Sequence, residues 1–106
     1  MKYSLLLFPD NLYDNINFEE YSEVYLVEDP NYFSMWKFTK IKLAYMRMCM
    51  KEYYTHNKHS ITYIEHKDYI KFSKTLKNKH ICMYYPNDLR LKNRYVKLSK
   101  QCSFIH

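Results

Sequence analysis

The chain contains no glycine in its 106 residues. Glycine-rich loops are what let a backbone close around a pyrophosphate, so the P-loop and the dinucleotide fingerprint are both excluded. Any tight turn that needs positive φ has to use Asn or Asp instead. The glycine-flanked elbow that presents a nucleophilic serine is ruled out too, and Ser4, Ser22, Ser60, Ser73 and Ser103 stand in no other context that would activate a hydroxyl. The residues in excess (Lys, Asn, Tyr, Ile) have AT-rich codons and the scarce ones GC-rich codons. An AT-rich genome therefore accounts for part of the composition and weakens any argument from the net charge of +6.

The length fits one domain over residues 1–106. Apolar content of 47% and aromatic content of 19% are those of a folded chain. No window is long and apolar enough to span a bilayer. The opening "MKYSLLLFPD" has Pro9 and Asp10 where a signal peptide would have small residues, so it reads as a first strand and the expected location is intracellular. Cys49, Cys82 and Cys102 lack the spacing of a zinc site or redox pair and are expected to be reduced, buried thiols.

Two periodicities alternate along the chain. "YSLLLF" (3–8), "EVYLVE" (23–28), "SITYIEH" (60–66) and "HICMYY" (80–85) read as strands, and "CSFIH" (102–106) as the start of a fifth. Helices are predicted from Trp36 to about Tyr54 with Ser34 as N-cap, over 67–79, and over 89–100 with Asp88 or Asn87 as cap. This order predicts an α/β fold, a doubly wound and mostly parallel sheet of four to five strands with helices on both faces, Rossmann-like or flavodoxin-like. Ligands of such sheets sit at the carboxyl ends of the strands, near the switch point.

Asp10, Glu28, Asp29, Glu65 and Asp88 all fall at strand ends, where they are either convergent acids or ordinary turn residues. Lys40, Arg47 and Lys51 fall on one narrow stripe of the first long helix. That stripe is either a phosphate-contacting face for nucleic acid or the solvent side of a helix whose other faces hold Ile41, Tyr45, Met48 and Cys49.

Four segments resemble the amino-terminal α/β domain of the deoxyribodipyrimidine photolyase-related proteins, the iron-sulfur bacterial type of the cryptochrome and photolyase group. These are "LLLFPDNLY" (5–13), "VYLVEDPNYF" (24–33), "FTKIKLAYMRMCMKEY" (38–53) and "ICMYYPNDLRL" (81–91), in the family's order and spacing. Thr39 and Met46 stand where family members carry histidine, and Asn11 where glutamine is usual. The resemblance implies a truncated or stand-alone amino-terminal domain without repair activity of its own, one piece of a split gene. The FAD, the iron-sulfur cluster and the lesion pocket for DNA would then belong to a separately encoded helical partner. It also implies a lumazine-type antenna chromophore on this domain, lined by Asp10, Asn11, Glu28 and Tyr32. The alternatives are a small basic α/β nucleic-acid-binding module using Lys40, Arg47 and Lys51, and an independent enzyme working through the acidic strand ends.

Overall fold

A computed structural model describes residues 2–35 and 39–106. Five strands form one sheet, β1 (Ser4–Leu7), β2 (Glu23–Val27), β3 (Thr62–Ile64), β4 (His80–Tyr84) and β5 (Gln101–Ile105). Every neighbouring pair is parallel and the spatial order is β3-β2-β1-β4-β5. That is the order of the classic dinucleotide-binding sheet, with its reversal between β1 and β4. The doubly wound expectation holds, and the fifth strand pairs with β4 along five residues, from Gln101 to Ile105.

The pleat divides the core in two. Leu6, Phe8, Val27, Ile81 and Met83 face one side and pack with Tyr69, Phe72, Leu76, Leu91 and Tyr95. Leu5, Leu7, Val24, Leu26 and Cys82 face the other and pack with Met50, Tyr53 and Ile61. The central strand is an unbroken apolar run because side chains alternate between two covered faces. Each of its fully buried leucines contributes about 1.5–3 kcal/mol relative to exposure.

The helices differ from expectation in their ends. A short α1 (Pro30–Met35) directly follows β2, so Ser34 lies inside it. The long α2 (Lys40–Asn57) starts at Thr39, whose hydroxyl accepts a hydrogen bond from the Lys42 amide. The predicted first turn at 36–38 lies outside the described residues. The segment predicted as one helix over 67–79 is a 3₁₀ turn (His66–Asp68), α3 (Tyr69–Thr75) and a second 3₁₀ turn (Leu76–Asn78). The last helix, α4 (Leu89–Leu98), is capped by Asp88 as predicted, its carboxylate accepting from the Arg90 amide at 2.8 Å. Among the described residues none has positive φ, so no Asn or Asp substitutes for glycine in that role. None of these helices is long and apolar enough to cross a membrane.

The inward face of α2 also differs from expectation. Met50 and Tyr53 are buried, and Met46 and Tyr54 pack against the two core clusters. Ile41, Tyr45 and Met48 are 84%, 61% and 60% exposed. The apolar positions of this helix surround its axis, and the sheet selects the set near 280° over the set near 100° on a wheel of 100° per residue.

Candidate functional site

A cleft of about 40 Å³ opens where the sheet reverses, between the carboxyl ends of β1 and β4. Phe8, Tyr32 and Tyr85 give it aromatic lining, Tyr84 borders it while its ring packs against Tyr13, and Asp10, Asn11 and Asp88 bring polar groups to it. The space is enough for a few water molecules.

Each polar residue is held by local structure. The Asn11 side-chain oxygen accepts from the Phe8 amide at 3.1 Å, while the Asn11 amide donates to the Phe8 carbonyl at 2.9 Å. This double bond to one residue turns the chain sharply out of β1 without positive φ. The Tyr32 ring stacks on Phe8 with centroids 6.1 Å apart. Burial pushes its hydroxyl far above the usual range, and the Asp10 carboxylate adds to this by charge and by hydrogen bond. Arg90 holds the Asp88 carboxyl below its usual value through side-chain hydrogen bonds of 2.7–3.2 Å, reinforced by its backbone amide. Where other doubly wound sheets seat a phosphate at a helix N-terminus, α4 presents the carboxylate of Asp88. The cleft is therefore unsuited to a phosphate, in keeping with the missing glycine loop.

Tyr85 is the outer wall. It is 41% exposed, makes an edge contact with Phe104 and stacks on His106 at 5.0 Å, and has Lys92 Nζ 5.1 Å above its ring.

Glu28 lies elsewhere. It is fully buried beyond β2, and its carboxylate accepts from the Tyr63 hydroxyl, the His66 amide at 3.2 Å and Arg47 Nε at 3.4 Å. Burial alone would raise its pKa, but the Tyr63, His66 and Arg47 donors outweigh it and hold the carboxyl below the usual range. Asp29 is equally buried and accepts from Arg94 and, at 2.7 Å, from the Tyr95 hydroxyl. Tyr95 in turn shares a 3.0 Å hydrogen bond with Tyr69. Of the four residues expected to line a chromophore site, Asp10, Asn11 and Tyr32 meet at the cleft, and Glu28 braces β2 against β3 and α2.

Of the five strand-end acids, Asp10 and Asp88 share the cleft, and Glu28, Asp29 and Glu65 lie away from it. Glu65 is partly exposed beside Lys67 at 3.5 Å, and among the described residues no group of three or more His, Cys, Asp or Glu is placed to hold a metal ion. The basic stripe is split as well, because Arg47 turns to Glu28 at 3.3 Å while Lys40 and Lys51 remain exposed. All three cysteines are free, and burial raises Cys102 to about 11.

Sequence reasoning missed Tyr63, Tyr84 and Tyr85, and it marked Arg94 only as one cation of a basic helix, not as the partner of Asp29. Only Arg94 left a readable signal: it shares the spacing of Leu91, Tyr95 and Leu98, the inward face of α4, and a guanidinium there requires a carboxylate. No protein-family model, no curated protein and no solved structure matches this chain.

Proposed function

We propose that this chain is a ligand-binding α/β domain of the photolyase-related kind, which holds a flat, ring-containing chromophore at the β1–β4 cleft and leaves flavin and repair chemistry to a separate helical domain. The observation that carries the reading is the cleft itself: the aromatic residues Phe8, Tyr32 and Tyr85 line it at the switch point, with Asp10 and Asn11 at the exit of β1. Aromatic walls favour a planar ring, and carboxylates favour a ligand that donates hydrogen bonds, such as ring N–H or ribityl hydroxyl groups. A bicyclic ring is larger than this space, so its binding requires Tyr85 to swing aside, and the open mouth leaves its outer wall to a partner domain. The four segments that resemble the photolyase-related proteins support the same reading, because three of them supply the cleft. Nucleic-acid binding through Lys40, Arg47 and Lys51 has less support, since Arg47 is committed to Glu28.

The test is a fluorescence titration of the purified chain with a ribityl lumazine. Saturable binding that is lost in Tyr32→Ala and Asp10→Ala is expected. Binding that survives both substitutions, or no binding at ~1 mM, the weak end of measurable affinity, would remove the reading. Sequencing beside the gene tests the partner: a reading frame for a helical flavin-binding domain is expected there.

A further inference from the structure

The second apolar face of α2 points to a binding surface distinct from the cleft. Ile41, Tyr45 and Met48 are spaced i, i+4, i+7 and lie within about 60° of one another around the helix. All three are largely exposed, on the side opposite the buried Met50 and Tyr53. A surface helix that packs on one side normally carries polar residues there. Beside the stripe, the small side chain of Ala44 leaves a notch, and two shallow grooves of about 300 and 320 Å³ meet at Ala44 and Arg47. Lys40 and Lys51 bound the same side of the stripe, roughly 16 Å apart along the helix. Neither has an ion-pair partner among the described residues.

We propose that this face docks an amphipathic helix of a different protein, one that sets a large apolar side chain over Ala44 and carries carboxylates about three turns apart to meet Lys40 and Lys51. The spacing is that of helix recognition by a few apolar anchors along one stripe. Charge chooses among occupants. A second copy packed antiparallel would bring Lys40 and Lys51 of one chain against those of the other, between two molecules of net charge +6 each. An anionic membrane would meet Glu52, which falls on the stripe itself one turn beyond Met48. An acidic helix avoids the first obstacle and, unlike a uniformly charged membrane, sets its carboxylates on the flank of Lys40 and Lys51, about 100° around the helix from Glu52. The proposal does not rest on the chromophore reading, since none of these residues lines the cleft.

Fluorescence anisotropy with the full chain and two synthetic helical peptides provides the test. Both carry the same leucine stripe, one flanked by Glu and the other by Lys. The Glu-flanked peptide is expected to bind at least about tenfold more tightly, an advantage that shrinks with added salt. The double variant Ile41→Ser, Met48→Ser should lose the binding while its circular dichroism and melting stay unchanged, because both residues are exposed. Lys40→Glu with Lys51→Glu should reverse the peptide preference. Equal affinity for the two peptides, binding indifferent to these substitutions, or no binding of the Glu-flanked peptide would overturn the proposal. Self-association of the free chain through this stripe, or binding to phosphatidylserine vesicles in place of the peptide, would also overturn it.

Discussion

Glu28 and Asp29 are adjacent in sequence, fully buried, and leave β2 toward opposite faces of the sheet. Glu28 is taken up by Tyr63, His66 and Arg47, and Asp29 by Arg94 and Tyr95. The pair pins β2 to α2 on one face and to α4 on the other. Such anchors stabilise little compared with apolar packing, yet removing the buried acceptor leaves the Tyr63 hydroxyl and the His66 amide without it. Glu28→Ala is therefore expected to cost about 1–3 kcal/mol in urea unfolding. A loss under about 0.5 kcal/mol, the range of ordinary surface changes, would show that the Glu28 contacts are not formed in solution.

The same carboxylate sets an acid dependence. The folded Glu28 carboxyl lies below its unfolded value, so the unfolded chain takes up the proton first. Its stabilisation is complete above the unfolded pKa of about 4.3 and is lost as pH falls through the lower folded value. Glu28→Gln should flatten the stability profile in that acid window compared with the unaltered chain. Parallel profiles would refute this origin of the acid sensitivity.

Tyr95→Phe removes the hydroxyl that bridges Asp29 and Tyr69 without leaving a cavity. The expected cost is about 1–3 kcal/mol, because a buried carboxylate loses a donor. Asp29→Ala in the Tyr95→Phe background should cost less than Asp29→Ala alone. A double-mutant cycle with no coupling would contradict the contact.

Burial also governs the alkaline side. It pushes Tyr53 up to about 12, and burial together with nearby carboxylates pushes Tyr32, Tyr63 and Tyr95 well above their usual range. A tyrosine whose folded pKa is raised contributes stability below its unfolded pKa of about 10, and that stability is lost as pH rises toward the folded value. Tyrosinate absorbance should therefore rise in two stages, the exposed rings first and the buried rings together with unfolding. A single smooth titration of all thirteen tyrosines would argue against the buried set.

The architecture was readable because each strand is a short apolar or aromatic run and three of the four crossovers hold a helical pattern; the one between β1 and β2 holds only a 3₁₀ turn (Phe18–Glu20). Asp88 was readable as a cap because Asp before an apolar-periodic run has few other uses. Two kinds of information were not local. The first was rotation: α2 offers apolar residues on both sides, so its own pattern could not show that Met50 would be buried and Met48 exposed. The second was partner choice. Arg47 looked like one member of a basic stripe until the fold placed Glu28 beside it, and Glu28 looked like Asp10 until the sheet separated them. Asn11 was marked for a site, and in the fold it both borders the cleft and closes the turn out of β1.

The absence of positive φ among the described residues has a consequence for how the sheet is assembled. The two-residue turns that join antiparallel neighbours need left-handed residues, so a chain without them favours crossovers over hairpins. Every strand contact then waits for a long loop to close, and the longest closure joins β1 to β4, Ser4 pairing with Ile81. Such pairing is entropically late in folding. The cleft spans that seam. A molecule held there grips the first strand and the fourth at once, and so acts as a clasp on the whole domain.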